Sequence, residues 1–277
     1  MAETAYTIQY RSEYIPGFEQ YKSLLAECVT TESVIKGNQA TFLVADSGSA
    51  TTSTRGQNGL IPSRGDNNSQ LTATLTEEHD LVKKTGFNVF ASQGDQRRIM
   101  QETSYGTVSR KRDSQILTAL SAATQTQGAT ATATLRMFTR AKAILGNNAV
   151  PNDGNICCVI SPAAHAFLSE TSEFTSADYV NDKHLAGGAP NMFTWAGMTF
   201  IEHPNLAGLG TAAEIMYVFH KSAIGHAIDT GGMQVFAGYD EEQDYSYARC
   251  TMYMGAKLLQ NSGVVKITHD GSTLAAV

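Results

Sequence analysis

The sequence predicts an α+β protein with one long projecting arm, and three observations carry that expectation. Residues 46 to 76 hold Ser, Thr, Gly or Asn at 18 of 31 positions, between the strand-like run Thr41–Val44 and the alternating run Leu71–Thr76. A helical pattern follows, from about Gln96 to Ala123. From residue 191 onward, short strand-like runs succeed one another between turns. The 277 residues, 42% of them hydrophobic, suffice for a sizeable core in one large domain or two smaller ones. The arm is too polar to offset its own ordering entropy. It is therefore either disordered or ordered by contact with something else.

Residues 1 to 33 carry aromatics at Tyr6, Tyr10, Tyr14, Phe18 and Tyr21, and Pro16-Gly17 suits the start of a short helix over Gly17–Cys28. The stripe fits an arm packed on a partner and fits equally an amphipathic helix docked on its own core. After the polar arm, Thr76 is placed to cap a helical turn containing Glu77 and Glu78. In the long helix, Ile99, Met100, Val108, Ile116, Leu117 and Leu120 form a loose apolar stripe, with room for a bend at Gly106. Seven of the 20 basic residues lie between 81 and 112 (Lys83, Lys84, Arg97, Arg98, Arg110, Lys111, Arg112), a positive stripe on an acidic chain.

Residues 121 to 134 read as an exposed low-complexity joint. Thr134 opens a helix over Leu135–Leu145, ended by Gly146-Asn147-Asn148. Pro151–Gly154 make a turn, and Ile156–Ile160 form a buried strand. Ser161-Pro162 starts another helix. Strands are then expected at Phe193–Glu202, Glu214–His220, Ala223–Ile228, Met233–Phe236, Tyr245–Met254 and Val264–Thr268, with hinges at Gly187-Gly188, Gly208–Gly210 and Gly231-Gly232.

A net charge of -6 and a pI near 5.6 disfavour a surface built to bind polyanions. No run approaches the length of an apolar membrane span, and the first 30 residues lack a signal-peptide pattern, so a cytoplasm-like compartment is expected. Cys28, Cys157, Cys158 and Cys250 read as buried thiols, with no C-x-x-C spacing for zinc. The seven histidines show no ligand spacing, and Glu202 and His203 point to opposite faces of a strand. They read as structural or surface groups. Gly208-Leu209-Gly210-Thr211-Ala212-Ala213 spells GxGxxA, yet the aromatic run after it is a strand, which leaves no helix N-terminus to face a pyrophosphate. The acidic run Asp240, Glu241, Glu242 and Asp244 lacks calcium-loop spacing, and Arg64-Gly65-Asp66 is a chance-level tripeptide in a polar arm. There is no G-x-S-x-G elbow. No catalytic residue, cofactor site or metal site is expected.

The order of parts, together with Thr54-Arg55-Gly56, Leu71–Leu81, Ser109-Arg110-Lys111-Arg112-Asp113 with Ile116–Leu120, and Tyr253-Met254-Gly255-Ala256-Lys257, resembles the major capsid proteins of tailed bacteriophages. Their Hong Kong 97-like fold is shared by encapsulin shells and herpesvirus capsid floors. The resemblance covers nearly the whole chain. It implies an N-arm (1 to 33), an extended E-loop hairpin over the neighbouring subunit (34 to 80), a peripheral domain with a spine helix (81 to 154 and 236 to 277), and an axial domain (155 to 235). It further implies a structural rather than enzymatic role: assembly through pentamers and hexamers into an icosahedral shell around double-stranded DNA, without sequence-specific DNA binding or membrane association. The partners implied are the portal protein and separate scaffolding and decoration proteins, with assembly in the host cytoplasm.

Two departures matter. The type member seals its shell with a covalent bond from an E-loop lysine, but no lysine occurs between Lys36 and Lys83. A non-covalent shell is expected instead, with Arg55, Arg64, Asp66, Arg110 and Arg112 as candidate intersubunit contacts. Only about thirty residues precede the E-loop, too few for a fused scaffolding domain, so scaffolding is expected from a separate protein or from a segment removed before this numbering. An encapsulin-like compartment, another virion structural protein, or a hydrolase using residues 46 to 76 as a lid are the competing readings.

Overall fold

Residues Ile156–Ile160 read Ile-Cys-Cys-Val-Ile, and all five side chains are buried. A run apolar on both faces belongs inside a sheet covered on both sides. In the computed structural model, which describes residues 17–34, 36–47, 50–91, 95–128, 130–171 and 192–272, this strand, β5, is the centre of a five-stranded sheet. The order is β12 (Val264–His269), β8 (Glu214–His220), β5, β7 (Met198–Glu202), β6 (Met192–Trp195). β5 runs parallel to β7 and antiparallel to β8. Helices α3 (Leu135–Asn147) and α4 (Pro162–Glu170) contribute Met137, Phe138, Ala141, Leu145, Ala164 and Leu168 to the same core. Phe200 is fully buried, stacked on Phe193 at 5.0 Å and edge-on to Phe138 at 5.4 Å. Ser161 caps α4 as its position before Pro162 predicts, its Oγ accepting from the Ala164 N–H at 3.2 Å.

The chain packs into two units, and helix α2 (Gln96–Ser121) and strand β11 (Tyr245–Leu258) each run through both. The first unit holds the described residues of Met1–Ser23 with Glu77–Arg112 and Gly231–Tyr253. In it, the first part of β11 pairs with β10 (Gln234–Asp240) and with β4 (Thr76–Thr85). The second unit holds the β5 sheet. It also holds β1 (Thr30–Val34) parallel to β9 (Ile224–Asp229), which in turn pairs antiparallel with Met254–Leu258 of β11. The hairpin β2 (Gln39–Asp46) and β3 (Asn67–Thr74) belongs to this unit as well.

Several expectations need correction. The helix over Gly17–Cys28 is absent from the described residues except for a 3-10 turn at Ala26–Cys28. The Leu24 and Leu25 N–H groups donate to the Asp113 carboxylate at 3.0 and 3.3 Å, so a long-range acceptor replaces the helical ones. The helical turn at Thr76–Glu78 is instead the start of β4. Along β4 even-numbered side chains are half-buried and odd-numbered ones exposed after Thr76 and Glu77, a period of two that pairing with β11 imposes over local propensity. Thr76 Oγ1 donates to the Met254 carbonyl at 3.1 Å rather than capping a helix. The single strand over Phe193–Glu202 is a hairpin, turned by Ala196 and Gly197 with φ of 51° and 73°, the handedness that two-residue hairpin loops favour. Strands β10 and β11 run four residues further than their patterns suggest. Helix α2 continues through Gly106 without a break, and the glycine gives Tyr21 room to approach: a Cβ there would lie 3.2 Å from its ring. The aromatics Tyr6, Tyr10 and Tyr14, His184 and the Gly187-Gly188 hinge lie outside the described residues.

Candidate intersubunit surfaces

β2 and β3 pair from Gln39↔Thr74 out to Asp46↔Asn67 and, among the described residues, join no further strand. Their base is seated on their own chain. Ala40 and Ala73 are buried with Val34 and Ala227, and Phe42 and Leu75 pack against them. Two glycines make this seat possible. A Cβ at Gly225 would lie 2.8 Å from the Phe42 ring, and one at Gly255 only 2.1 Å from the Thr74 carbonyl oxygen. Beyond the base the support ends: residues 50–70 are all exposed. Leu60 and Ile61, the only large aliphatic residues between 47 and 66, are 73% and 68% exposed. They are nonetheless held by a local turn. The Gly56 N–H donates to the Leu60 carbonyl at 3.1 Å, the Gly59 N–H donates to the Gly56 carbonyl at 2.9 Å, and Gly59 has a φ of 72°. A polar arm thus ends in a small preformed apolar knob.

The candidate contact residues fall into two groups. On the arm, Arg55 is exposed, and Arg64 pairs with Asp66 at 3.0 Å with both side chains more than half exposed. A pair so exposed contributes little to subunit stability. On the long helix, Arg110 is engaged within its own unit, by Glu19 at 2.5 Å and by the Gln20 carbonyl at 3.2 Å, and Arg112 is half-buried. Of the seven basic residues expected as a positive stripe over 81 to 112, Arg98, Arg110 and Lys111 each meet a carboxylate at close range, and others find polar or aromatic neighbours. Lys111 meets Glu78 at 3.5 Å, Arg98 meets Glu102 at 2.9 Å, Lys84 bonds Gln96, and the Lys83 ammonium sits 4.4 Å from the Tyr245 ring centroid.

The first unit also carries a groove of about 550 Å³ lined by Tyr21, Lys22, Gln101, Glu102, Tyr105 and Val235. Tyr105 and Val235 are 42% and 41% exposed. Lys22 and Glu102 are the charged residues among its lining, and Glu102 is paired with Arg98.

The buried histidines act as structural nodes. His203 and Asp113 are both fully buried and 3.3 Å apart, and Asp113 is the same carboxylate that holds the Leu24 and Leu25 amides. Glu214 collects three donors: Ser161 Oγ at 2.5 Å, His269 Nδ1 at 2.8 Å and the Gly210 N–H at 2.8 Å. Burial pushes the Glu214 carboxyl up, but these hydrogen bonds outweigh it and hold the group below its usual value. His165 meets Glu202 at 2.7 Å, and His220 meets Asp153 at 3.1 Å. Asp153 is held at about 2, chiefly by hydrogen bonds from Asn155 and then by His220. These pairs join residues 37 to 90 positions apart, so no local pattern in the sequence announces them. Ser161 and His269 both point to Glu214 rather than to each other, which is not a nucleophile–base arrangement.

The remaining motifs resolve into local structure. The GxGxxA run leads directly into β8. Asp240 accepts from the Glu242 and Gln243 N–H groups at 3.1 and 3.2 Å and so caps its own turn. The four cysteines are free and buried. The Cys28 thiol is pushed far up by its hydrogen bond with Cys157 and by burial. Among the described residues, no group of His, Cys, Asp and Glu could hold a metal ion and no helix is long and apolar enough to cross a membrane.

Comparison with known proteins gives this arrangement a context. The backbone superposes on a chain in the capsid structure of the cyanophage P-SCSP1u with a TM-score of 0.72 at 12% identity, covering 95% of this chain and 93% of that one. A chain of Mycobacterium phage Che8 gives a TM-score of 0.70 at 17% identity over 96% and 98% of the two chains. The capsid of a native GTA particle gives 0.69 at 13% over 95% of each. At such identities the likeness establishes the fold, Hong Kong 97-like as the sequence predicts. No curated protein sequence matches the chain. A family profile described as "Phage capsid protein" matches residues 2–271, which is nearly the whole length: the chain belongs to the phage capsid protein family, as a subunit of a virion shell.

Proposed function

We propose that this chain is the major capsid protein of a non-covalent icosahedral shell, assembled through pentamers and hexamers in the host cytoplasm around packaged double-stranded DNA. The single observation that carries the assembly mode is the half-seated arm. Its base is buried on its own chain and its outer half is exposed on every described residue, as expected of a segment whose other half is covered by the next subunit. In this reading residues 34 to 80 are the E-loop, 96 to 123 the spine helix, 155 to 235 the axial domain, and 81 to 154 with 236 to 277 the peripheral domain, except that α3 and β12 pack with the β5 sheet and go with the axial part. The role is structural rather than catalytic. A portal protein and separate scaffolding and decoration proteins are its partners, and the acidic balance of the chain suits an inner wall that does not adsorb DNA during packaging.

The arm carries no lysine beyond Lys36 at its base, so in this reading closure is non-covalent and relies on apolar burial and on ion pairs made by Arg55, Arg64 and Asp66. Negative-stain imaging of the purified protein over a range of concentrations, with a denaturing gel of the same particles, tests both parts. Closed shells or capsomers that run as a single monomer band are expected. A monodisperse monomer at every concentration overturns the shell, and a ladder of covalent oligomers overturns the non-covalent closure.

A further inference from the structure

We infer that Asn58-Gly59, in the turn of the arm, is a self-modification site at which the asparagine amide is converted to aspartate and isoaspartate by way of a cyclic imide. The reaction belongs to the free subunit and does not depend on the shell reading. Asparagine is followed by glycine at this one place in the 277 residues. Ring closure needs the next backbone nitrogen to approach the asparagine Cγ, and a glycine puts no Cβ in the way. The local geometry favours the same step. Residues 57 and 58 form the corner of a turn closed by the Gly59 N–H donating to the Gly56 carbonyl at 2.9 Å, and a Cβ at Gly59 would meet nothing within 4 Å. Residues 50–70 are all exposed, so opening the turn to free the Gly59 nitrogen breaks exposed backbone hydrogen bonds and no packing.

Three other exposed asparagines show what sets Asn58 apart. Asn67 donates its side-chain amide to Asp46 at 2.9 Å. Asn261 is held at both ends, donating to the Thr124 hydroxyl at 2.8 Å and accepting the Thr124 N–H at 2.9 Å. Asn68 lies in β3 opposite Ala45 and precedes Ser69. Asn58 lies in no strand, and no hydrogen bond ties its side chain among the described residues. The Gly59 nitrogen, giving up its proton to solvent, attacks the Asn58 Cγ. The new C–N bond closes a five-membered imide, and the side-chain nitrogen leaves as ammonia with a proton taken from solvent. Water then adds to either imide carbonyl and breaks its bond to the Gly59 nitrogen. Opening at the side-chain carbonyl gives aspartate; opening at the backbone carbonyl gives isoaspartate, whose main chain is longer by a methylene. The net change consumes water, releases ammonia, and oxidises or reduces nothing. Either product carries a negative charge at neutral pH, and the added methylene of isoaspartate breaks the four-residue spacing of the turn that precedes Leu60 and Ile61.

Timed peptide mapping of the unassembled subunit tests this. Trypsin cuts after Arg55 and Arg64 and releases residues 56–64, in which Asn58 is the only asparagine. A short, slightly acidic digest of unincubated protein sets the background. During incubation in neutral to mildly alkaline buffer, this peptide is expected to give two new species of the same mass, separable by chromatography and carrying a carboxylate at residue 58, at a rate that rises with pH. Conversion is expected to run on the order of tenfold faster than at Asn68 in the same digest. Gly59→Ala has room for its methyl group, although it sits at a φ of 72°, and is expected to slow conversion by a similar factor. Asn58→Gln is expected to abolish both species. The inference is overturned if Asn58 converts no faster than Asn68, if a single product forms at every pH, or if Gly59→Ala converts at the wild-type rate.

Discussion

The β5 sheet and the β2–β3 hairpin are both built of short strands, and they solve the problem of exposed backbone and apolar surface in opposite ways. In the sheet, β5 is buried at every position and covered by helices, so its stability is complete within one chain. In the hairpin, burial is confined to Ala40, Ala73 and their few neighbours, and every described residue from 50 to 70 faces water. A two-stranded ribbon of that kind is marginal by itself. The contrast separates what a subunit needs in order to fold, which the core supplies, from surface it leaves open, which the proposed function assigns to assembly.

The sharpest way to press this contrast is to damage the core. Phe200→Ala removes a fully buried ring packed on Phe193 and Phe138. A loss of about 3–5 kcal/mol is expected, visible in chemical denaturation of the unassembled subunit as a large fall in the unfolding midpoint. A loss below about 1 kcal/mol would mean that the sheet is not the subunit's source of stability.

How far the sequence alone reveals these two regions follows from where their information is stored. The core strand, the Ser161 cap and the long helix are written in contiguous residues: an apolar run, a Ser-Pro opening, a sustained helical stripe. The hairpin is legible for the same reason, through its composition. The misread segments depend on distant partners. Thr76–Thr85 carries good helix-start residues, and only its pairing with β11 makes it a strand. Residues 17 to 28 lose their helix to a carboxylate, Asp113, some 88 positions away. The histidine–carboxylate nodes belong to the same class. So does the groove, whose six lining residues come from three separate segments of sequence and share no motif.

The hairpin's base, seated on β9 and β11, is the next place to intervene. Gly255→Ala puts a methyl group 2.1 Å from the Thr74 carbonyl oxygen. That neighbour is backbone, so the strand itself has to move rather than a side chain rotate. An expected cost of about 1–3 kcal/mol falls between those of core and outer-arm substitutions. Its signature is local: hydrogen exchange is expected to quicken in residues 39 to 46 and 67 to 74 while β5 and β8 stay protected. Uniform quickening across the β5 sheet would show that arm and core unfold as one cooperative unit and would erase the distinction between them.

The smallest effect is expected furthest from the core, and it is the most discriminating. Leu43 sits on the arm opposite Gln70, 67% exposed, one residue from Phe42, whose ring covers Gly225. Alternation along the strand sends these adjacent side chains to opposite faces, so Phe42 serves the subunit and Leu43 does not. Leu43→Ser removes only solvated apolar surface, and a change within about 0.5 kcal/mol is expected in the unassembled subunit. If the arm's outer face is covered in assembled particles, as the proposed function has it, the same substitution is expected to lower the denaturant midpoint for dissociation. Identical midpoints for wild-type and Leu43→Ser particles would place this face of the arm in solvent after assembly and restrict the intersubunit contact to the tip.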